Sequence, residues 1–147
     1  MRHGKFWLPV LLWMGFIFWM STGTFSSENT SLIIEPVISL LMPDLQQHEV
    51  DAVHGVVRKA GHVGEYFVFG ILLFRAFRKS SDKQRMGQWA FYSFLVILPY
   101  AAGDEFHQSF VATRTASLID VCFDISGGLL AQAVSILWHR RTRQTDN

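Results

Sequence analysis

Lys59, His62, Glu65 and Tyr66 recur at spacings of three and four residues, which puts them on one face of a helix. The set offers an ammonium to hold a phosphate or carboxylate, an imidazole to act as acid or base, and a carboxylate to tune that imidazole. His62 and Glu65 are therefore the candidate catalytic pair, with Lys59 and Tyr66 as ligand contacts. Three more clusters follow: Asp104-Glu105-Phe106-His107-Gln108, the isolated Arg114, and Asp120 with Asp124. Asp104 and Gln108 are four apart and share a helix face, whereas His107 points elsewhere. Arg114 can hold a carboxylate or phosphate bidentately, which Lys cannot. It is either a clamp on Asp104 or Glu105 or a ligand contact. Asp120 and Asp124 lie one helical turn apart. All these groups border apolar runs, where an ionisable side chain is costly unless it faces protein, water or a ligand. The expectation is that Lys59, Tyr66, Asp104, Glu105, Gln108, Arg114, Asp120 and Asp124 converge with His62 and Glu65 on one site.

The elements that must position them are membrane helices. In 147 residues there is room for one domain, 1–147. Half the residues are apolar and only 17% are charged, below the roughly 25% of a typical soluble chain. The apolar residues are bunched into blocks. Spans are expected at about 6–24, 60–77, 87–103 and 117–138. The first resembles a signal peptide, but no Ala-x-Ala pattern follows it, and Trp7, Trp13 and Trp19 are bulky for a signal core. It reads as a retained helix, with Pro9 tolerated near its start. Leu32 to Leu41 form an apolar stretch too short to span, which reads as an amphipathic helix in the first loop. Residues 44–57 look weakly helical, with His48 and His54 solvated. Cys122 is the one cysteine and reads as a buried, inert thiol. The net charge of +1 gives no basic field for nucleic acid.

Charge placement sets the topology. Arg2, Lys5, five basic residues in 75–85 and three after Trp138 make ten of the 13 Lys and Arg. Arg58, Lys59 and Arg114 are the other three. Lys and Arg collect in cytoplasmic loops, so four spans with both termini cytoplasmic fit at every loop. The result is an all-α membrane protein: a small antiparallel bundle of four transmembrane helices, with the amphipathic helix in the first outer loop. Every polar cluster then lies at the outer end.

On that plan Lys59 to Tyr66 open the second span at its N-terminus, where free backbone N–H groups favour anions. Asp104 and Glu105 close the third span at its negative end, and require Arg114, Lys59, a metal or a proton as partner. His62 and Glu65 have the spacing of metal-ligand pairs in di-metal bundles, in reverse order. Cations mixed among the acids compete with a metal, so no metal and no cofactor are expected. Gly61, Gly64 and Gly70 are expected to let a neighbouring helix come close, and Ser126, Gly127 and Gly128 likewise.

The run Arg58-Lys59-x-x-His62-x-x-Glu65-Tyr66, then Asp104-Glu105-x-x-Gln108, then Arg114 with Asp120, Asp124 and Gly127, resembles the VanZ-like family of bacterial membrane proteins. Ser26-Ser27-Glu28 after the first span also looks like that family's pattern, and the resemblance covers about 6–138. It implies a four-span protein of the bacterial inner (cytoplasmic) membrane. The family's namesake is associated with low-level teicoplanin resistance by a route that leaves the peptidoglycan precursor ending unaltered. Three functions remain open. The outer site could bind an anionic lipid headgroup or a lipid-linked cell-wall precursor. The same site could be that of a phosphoryl or acyl transferase or hydrolase, with His62 as acid or base. Or the polar residues could form an internal salt-bridge network, function residing in a partner-binding surface.

Overall fold

No proline falls between Gln47 and Ser80, and this stretch forms one helix of 34 residues in the computed structural model. The structure describes residues 4–23, 26–81, 85–112 and 117–145. They form α1 (Gly4–Met20), α2 (Ser27–Leu41), α3 (Gln47–Ser80), α4 (Met86–Gln108) and α5 (Leu118–Thr145), with no strand among the described residues. The Glu49 carboxylate accepts the Gln46 backbone N–H at 2.8 Å and fixes the start of α3. The weakly helical 44–57 segment is therefore largely the first turns of α3 rather than a separate element. This corrects the expected helix start near Ala60. Lys59 to Tyr66 lie in the middle of a continuous helix, where backbone N–H groups are already bonded. No helix end is available there to attract an anion.

α2 begins at Ser26, whose hydroxyl accepts the Asn29 N–H at 3.4 Å. It packs on α3 and leaves Leu32, Ile33, Val37 and Leu40 exposed, as an amphipathic helix in the first loop should. α4 runs past Gly103 to Gln108, so its acidic cluster is helical. Pro99 lies inside it.

α3 packs against every other helix. Its contacts with α5 keep one register: Arg58 meets Asp120, His62 meets Asp124, and the Gly70 carbonyl accepts Gln132 Nε2–H at 3.1 Å. A constant offset with rising numbers means that α3 and α5 run parallel. Trp7 Nε1 donates to Ser80 Oγ and Trp13 Nε1 to the Glu65 carbonyl, so α1 runs opposite to α3. Tyr100 OH donates to the Met14 carbonyl while His107 meets Ser21, so α1 and α4 are parallel. The four long helices thus alternate in direction along the chain. Val10, Ile17, Tyr66, Phe69, Leu73, Ile97 and Ala101 form the core between α1, α3 and α4.

Two helices are long and apolar enough to cross a membrane, α3 and the Leu118–Thr142 part of α5; α1 is apolar but shorter. Leu11, Leu12, Phe91, Leu129, Leu130 and Leu137 stand exposed around the bundle. Such an apolar girdle marks a surface that meets lipid or protein rather than water. Cys122 is exposed too, on the outer face of α5, which corrects the buried thiol expected from its apolar run. A helix in hydrocarbon can turn an apolar residue outward at no cost, so an apolar neighbourhood in sequence does not mean burial. Of the glycines expected at close helix contacts, Gly70, Gly127 and Gly128 are indeed crowded by neighbours. Gly61 and Gly64 face open space.

Candidate functional site

Two i, i+4 pairs on parallel helices build the site. Arg58 and His62 lie one turn apart on α3, as do Asp120 and Asp124 on α5, and the shared register brings both pairs into contact. Arg58 Nη2 donates to Asp120 Oδ2 at 2.8 Å near the top of the site. One turn deeper, His62 Nδ1 and Asp124 Oδ1 are 2.9 Å apart, with the Asp124 side chain fully buried.

The last turns of α4 supply the third wall. Asp104, Glu105 and Gln108 are all buried there. Gln108 Nε2 donates to Asp104 Oδ2 at 3.2 Å. Glu105 Oε2 accepts the Ser117 backbone N–H at 2.7 Å, while Ser117 Oγ accepts the Ile119 N–H at 3.2 Å. Ser117 thereby caps α5 and ties its first turn to the end of α4. It is a structural hydroxyl in this arrangement. Tyr66 is fully buried below the site against Phe69 and Tyr100.

His62, Glu105 and Asp124 form the closest group. Each offers one potential ligand atom, and these atoms lie within 4.8 Å of one another. Glu105 Oε1, Asp124 Oδ2 and Tyr66 OH have no hydrogen-bond partner among the described residues. Asp104, Glu105, Asp120 and Asp124 are all buried, while Arg58 and His62 are the basic groups bonded to them among the described residues. Among the described residues, carboxylates therefore outnumber cations here. Water is largely excluded, and that imbalance carries weight in a low-dielectric interior.

A cavity of about 200 Å³ opens beside this cluster, between α2 and α3. Arg58, Gly61, His62 and Glu65 line it from α3, with Thr30 and Ile34 from α2. His54 also reaches it, with Nε2 3.1 Å from Thr30 Oγ1. His54 is thus a half-buried lining residue, not the solvated one expected. α2 serves as the cavity's wall.

The structure brings together His62, Glu105 and Asp124, with Asp120, Asp104 and Gln108 around them and Glu65 on the cavity side. It does not bring in Lys59, which is exposed and turns its ammonium to the Phe123 ring, 5.3 Å from the centroid. Arg114, the other expected cation, lies outside the described residues. His107 points away, stacked on Phe18 with ring centres 4.4 Å apart. Phe106 and Phe110 are exposed and meet edge to face, ring centres 5.0 Å apart. Sequence reasoning passed over Arg58 as a site residue. Its signal was the matching four-residue spacing of Arg58–His62 and Asp120–Asp124, which parallel helices bring into contact in this pairing.

Compared with known proteins, residues 6–139 match the family model described as VanZ/LLP1. No curated protein and no solved structure matches the chain.

Proposed function

The chain belongs to the VanZ/LLP1 family, and from that membership we propose that it is a four-span envelope protein whose outer end receives the anionic headgroup of a membrane lipid or lipid-linked cell-wall precursor. Family membership and the two apolar helices point to a membrane protein. The alternating direction of α1, α3, α4 and α5 supports four crossings. At 1.5 Å per residue α3 is about 50 Å long, against ~30 Å of hydrocarbon. Its first turns, with α2 packed on them, then stand clear of the bilayer. Arg75, Arg78, Lys79, Arg140 and Arg141 gather at the opposite end, which the distribution of Lys and Arg assigns to the cytoplasm of a bacterial inner membrane. Both termini then face the cytoplasm, and the acidic end faces out. A link to glycopeptide (teicoplanin) susceptibility follows from the family and from a site on the side where cell-wall precursors are exposed.

The observation that carries the headgroup reading is the cavity beside Arg58 and His62. Arg58 lines the cavity with its side chain 27% exposed, so its guanidinium lies within reach of a phosphate held there. Met20, Ile34 and Val57 give the cavity an apolar side suited to a lipid's glycerol or prenyl end. Binding of the purified protein to nanodiscs of phosphatidylglycerol in phosphatidylcholine tests this. Arg58→Gln should weaken binding about tenfold, the loss of one charge-assisted contact, with Arg58→Lys between the two. Equal binding by all three proteins would remove the cavity from consideration as a headgroup site.

A second function has a specific observation in its favour. A carboxylate bonded to His62 Nδ1 fixes the ring and raises its basicity, which is how a general base is oriented. The site would then belong to a phosphoryl or acyl transferase or hydrolase acting on a lipid-linked substrate. Turnover of such a substrate that is lost in His62→Gln with headgroup binding retained would establish it.

A further inference from the structure

We propose that His62, Glu105 and Asp124 bind a divalent transition-metal ion, of the zinc(II) or manganese(II) class, at the floor of the site. Their ligand atoms already lie within 4.8 Å of one another. Two ligands bound to one such ion at ~2.1 Å stand up to ~4.2 Å apart, so only a small inward movement is needed. Two further observations point to a ligand. Glu105 is 5% exposed and Asp124 0%, yet Glu105 Oε1 and Asp124 Oδ2 have no partner among the described residues. A buried carboxylate oxygen without a donor is costly, and a cation between two of them removes that cost from both. The surrounding charge agrees. Arg58 is engaged with Asp120, and Lys59 faces Phe123 rather than the acids. The argument from sequence against a metal rested on Lys and Arg among the acids; Lys59 turns away to Phe123, and Arg58 is held by Asp120, one turn above Asp124.

The donor set narrows the ion. One imidazole and two carboxylates suit zinc, manganese or ferrous iron; all-oxygen ligation preferred by magnesium and calcium is absent, and so is the thiolate preferred by cuprous copper. Three protein ligands leave a coordination position open, and of the three His62 lines the cavity. The ion also supplies positive charge where an anionic headgroup would otherwise meet the carboxylates of Glu105 and Asp124. The ion site does not rest on the headgroup reading, and its test contains no added lipid.

The test uses the full-length protein in detergent, stripped with chelator and titrated with Zn2+ by calorimetry, with melting followed in parallel. Wild type is expected to bind one ion per chain, with a melting temperature that rises with the logarithm of free Zn2+. Affinity should fall more than about 100-fold in Glu105→Gln and Asp124→Asn, and remain unchanged in His48→Ala, an exposed histidine. Glu105→Gln keeps an acceptor for the Ser117 N–H and removes the charge, so its metal-free form should melt at or above wild type. Co2+ substitution in wild type gives a reading independent of any variant: the bound ion should show the intense visible bands of low coordination number. No saturable binding, binding that survives Glu105→Gln, or a Co2+ spectrum still that of the hydrated ion would each overturn the proposal.

Discussion

Replacing His62 with alanine is expected to destabilise the metal-free protein by about 3–5 kcal/mol, the usual cost of removing one member of a buried ion pair. Asp124 is fully buried, its Oδ1 is bonded to His62 Nδ1 at 2.9 Å, and the second carboxylate oxygen has no partner among the described residues. Without the imidazole, a carboxylate is left among helices with no donor among the described residues. Asp124→Ala should cost less, because an unpaired imidazole can stay neutral and an unpaired carboxylate cannot without taking up a proton. The double replacement His62→Leu with Asp124→Leu should recover most of the loss, since buried pairs exchanged for packed apolar side chains are often neutral or stabilising. A double-mutant cycle in one detergent, read by reversible denaturant unfolding, measures the coupling directly. If the double variant is as stable as wild type but binds neither ion nor headgroup, the pair is there for function. If the double variant is as unstable as the worse single, the pair holds the bundle, and the internal salt-bridge function considered from sequence gains ground.

Much of this site was legible in the sequence because the relevant spacing is short. His62, Glu105 and Asp124 stood out as ionisable residues beside apolar runs, and ionisable groups near hydrocarbon must be paired. Helix number and the amphipathic α2 followed from apolar block lengths. Three features were not legible, each for a physical reason. The start of α3 was misjudged because charged and polar residues from Gln47 to Lys59 interrupt the apolar run; a helix continues wherever no proline or cap stops it, whether or not hydrocarbon surrounds it. The choice of Arg58 over Lys59 depends on helix rotation. A one-residue shift is 100° of arc at 3.6 residues per turn, and only the packing of α3 on α5 fixes it. Gly61 and Gly64 looked the same as Gly70 in sequence. Which of them a neighbour approaches depends on where the two helix axes come closest, a long-range property.

Gly127→Ala is expected to cost about 3 kcal/mol, and Gly127→Leu more, although both residues favour helix over glycine. A Cβ built at Gly127 would run into the Val63 carbonyl, with Val63 C and Cα at 3.0 Å. The obstacle is backbone, so no rotamer change relieves it, and overpacking in a tight contact costs typically 1–3 kcal/mol. Hydrophobic driving force between helices is absent in lipid, so close approach and interhelical hydrogen bonds hold α3 to α5. Parting them at Gly127 also strains the His62–Asp124 contact one turn away, and the Gly70–Gln132 bond beyond it. Gly64→Ala supplies the control on α3, where a Cβ meets nothing within 4 Å. There the gain in helix propensity acts alone, up to about 1 kcal/mol. The two alanine variants should therefore move the melting temperature in opposite directions in the same detergent. Equal melting would mean that α3 and α5 do not touch along the Gly127 face, and the register that joins Arg58 to Asp120 and His62 to Asp124 would lose its support. The expected pairing of a lowered melting temperature with weakened ion binding in Gly127→Ala would tie the site's geometry to one crowded helix contact.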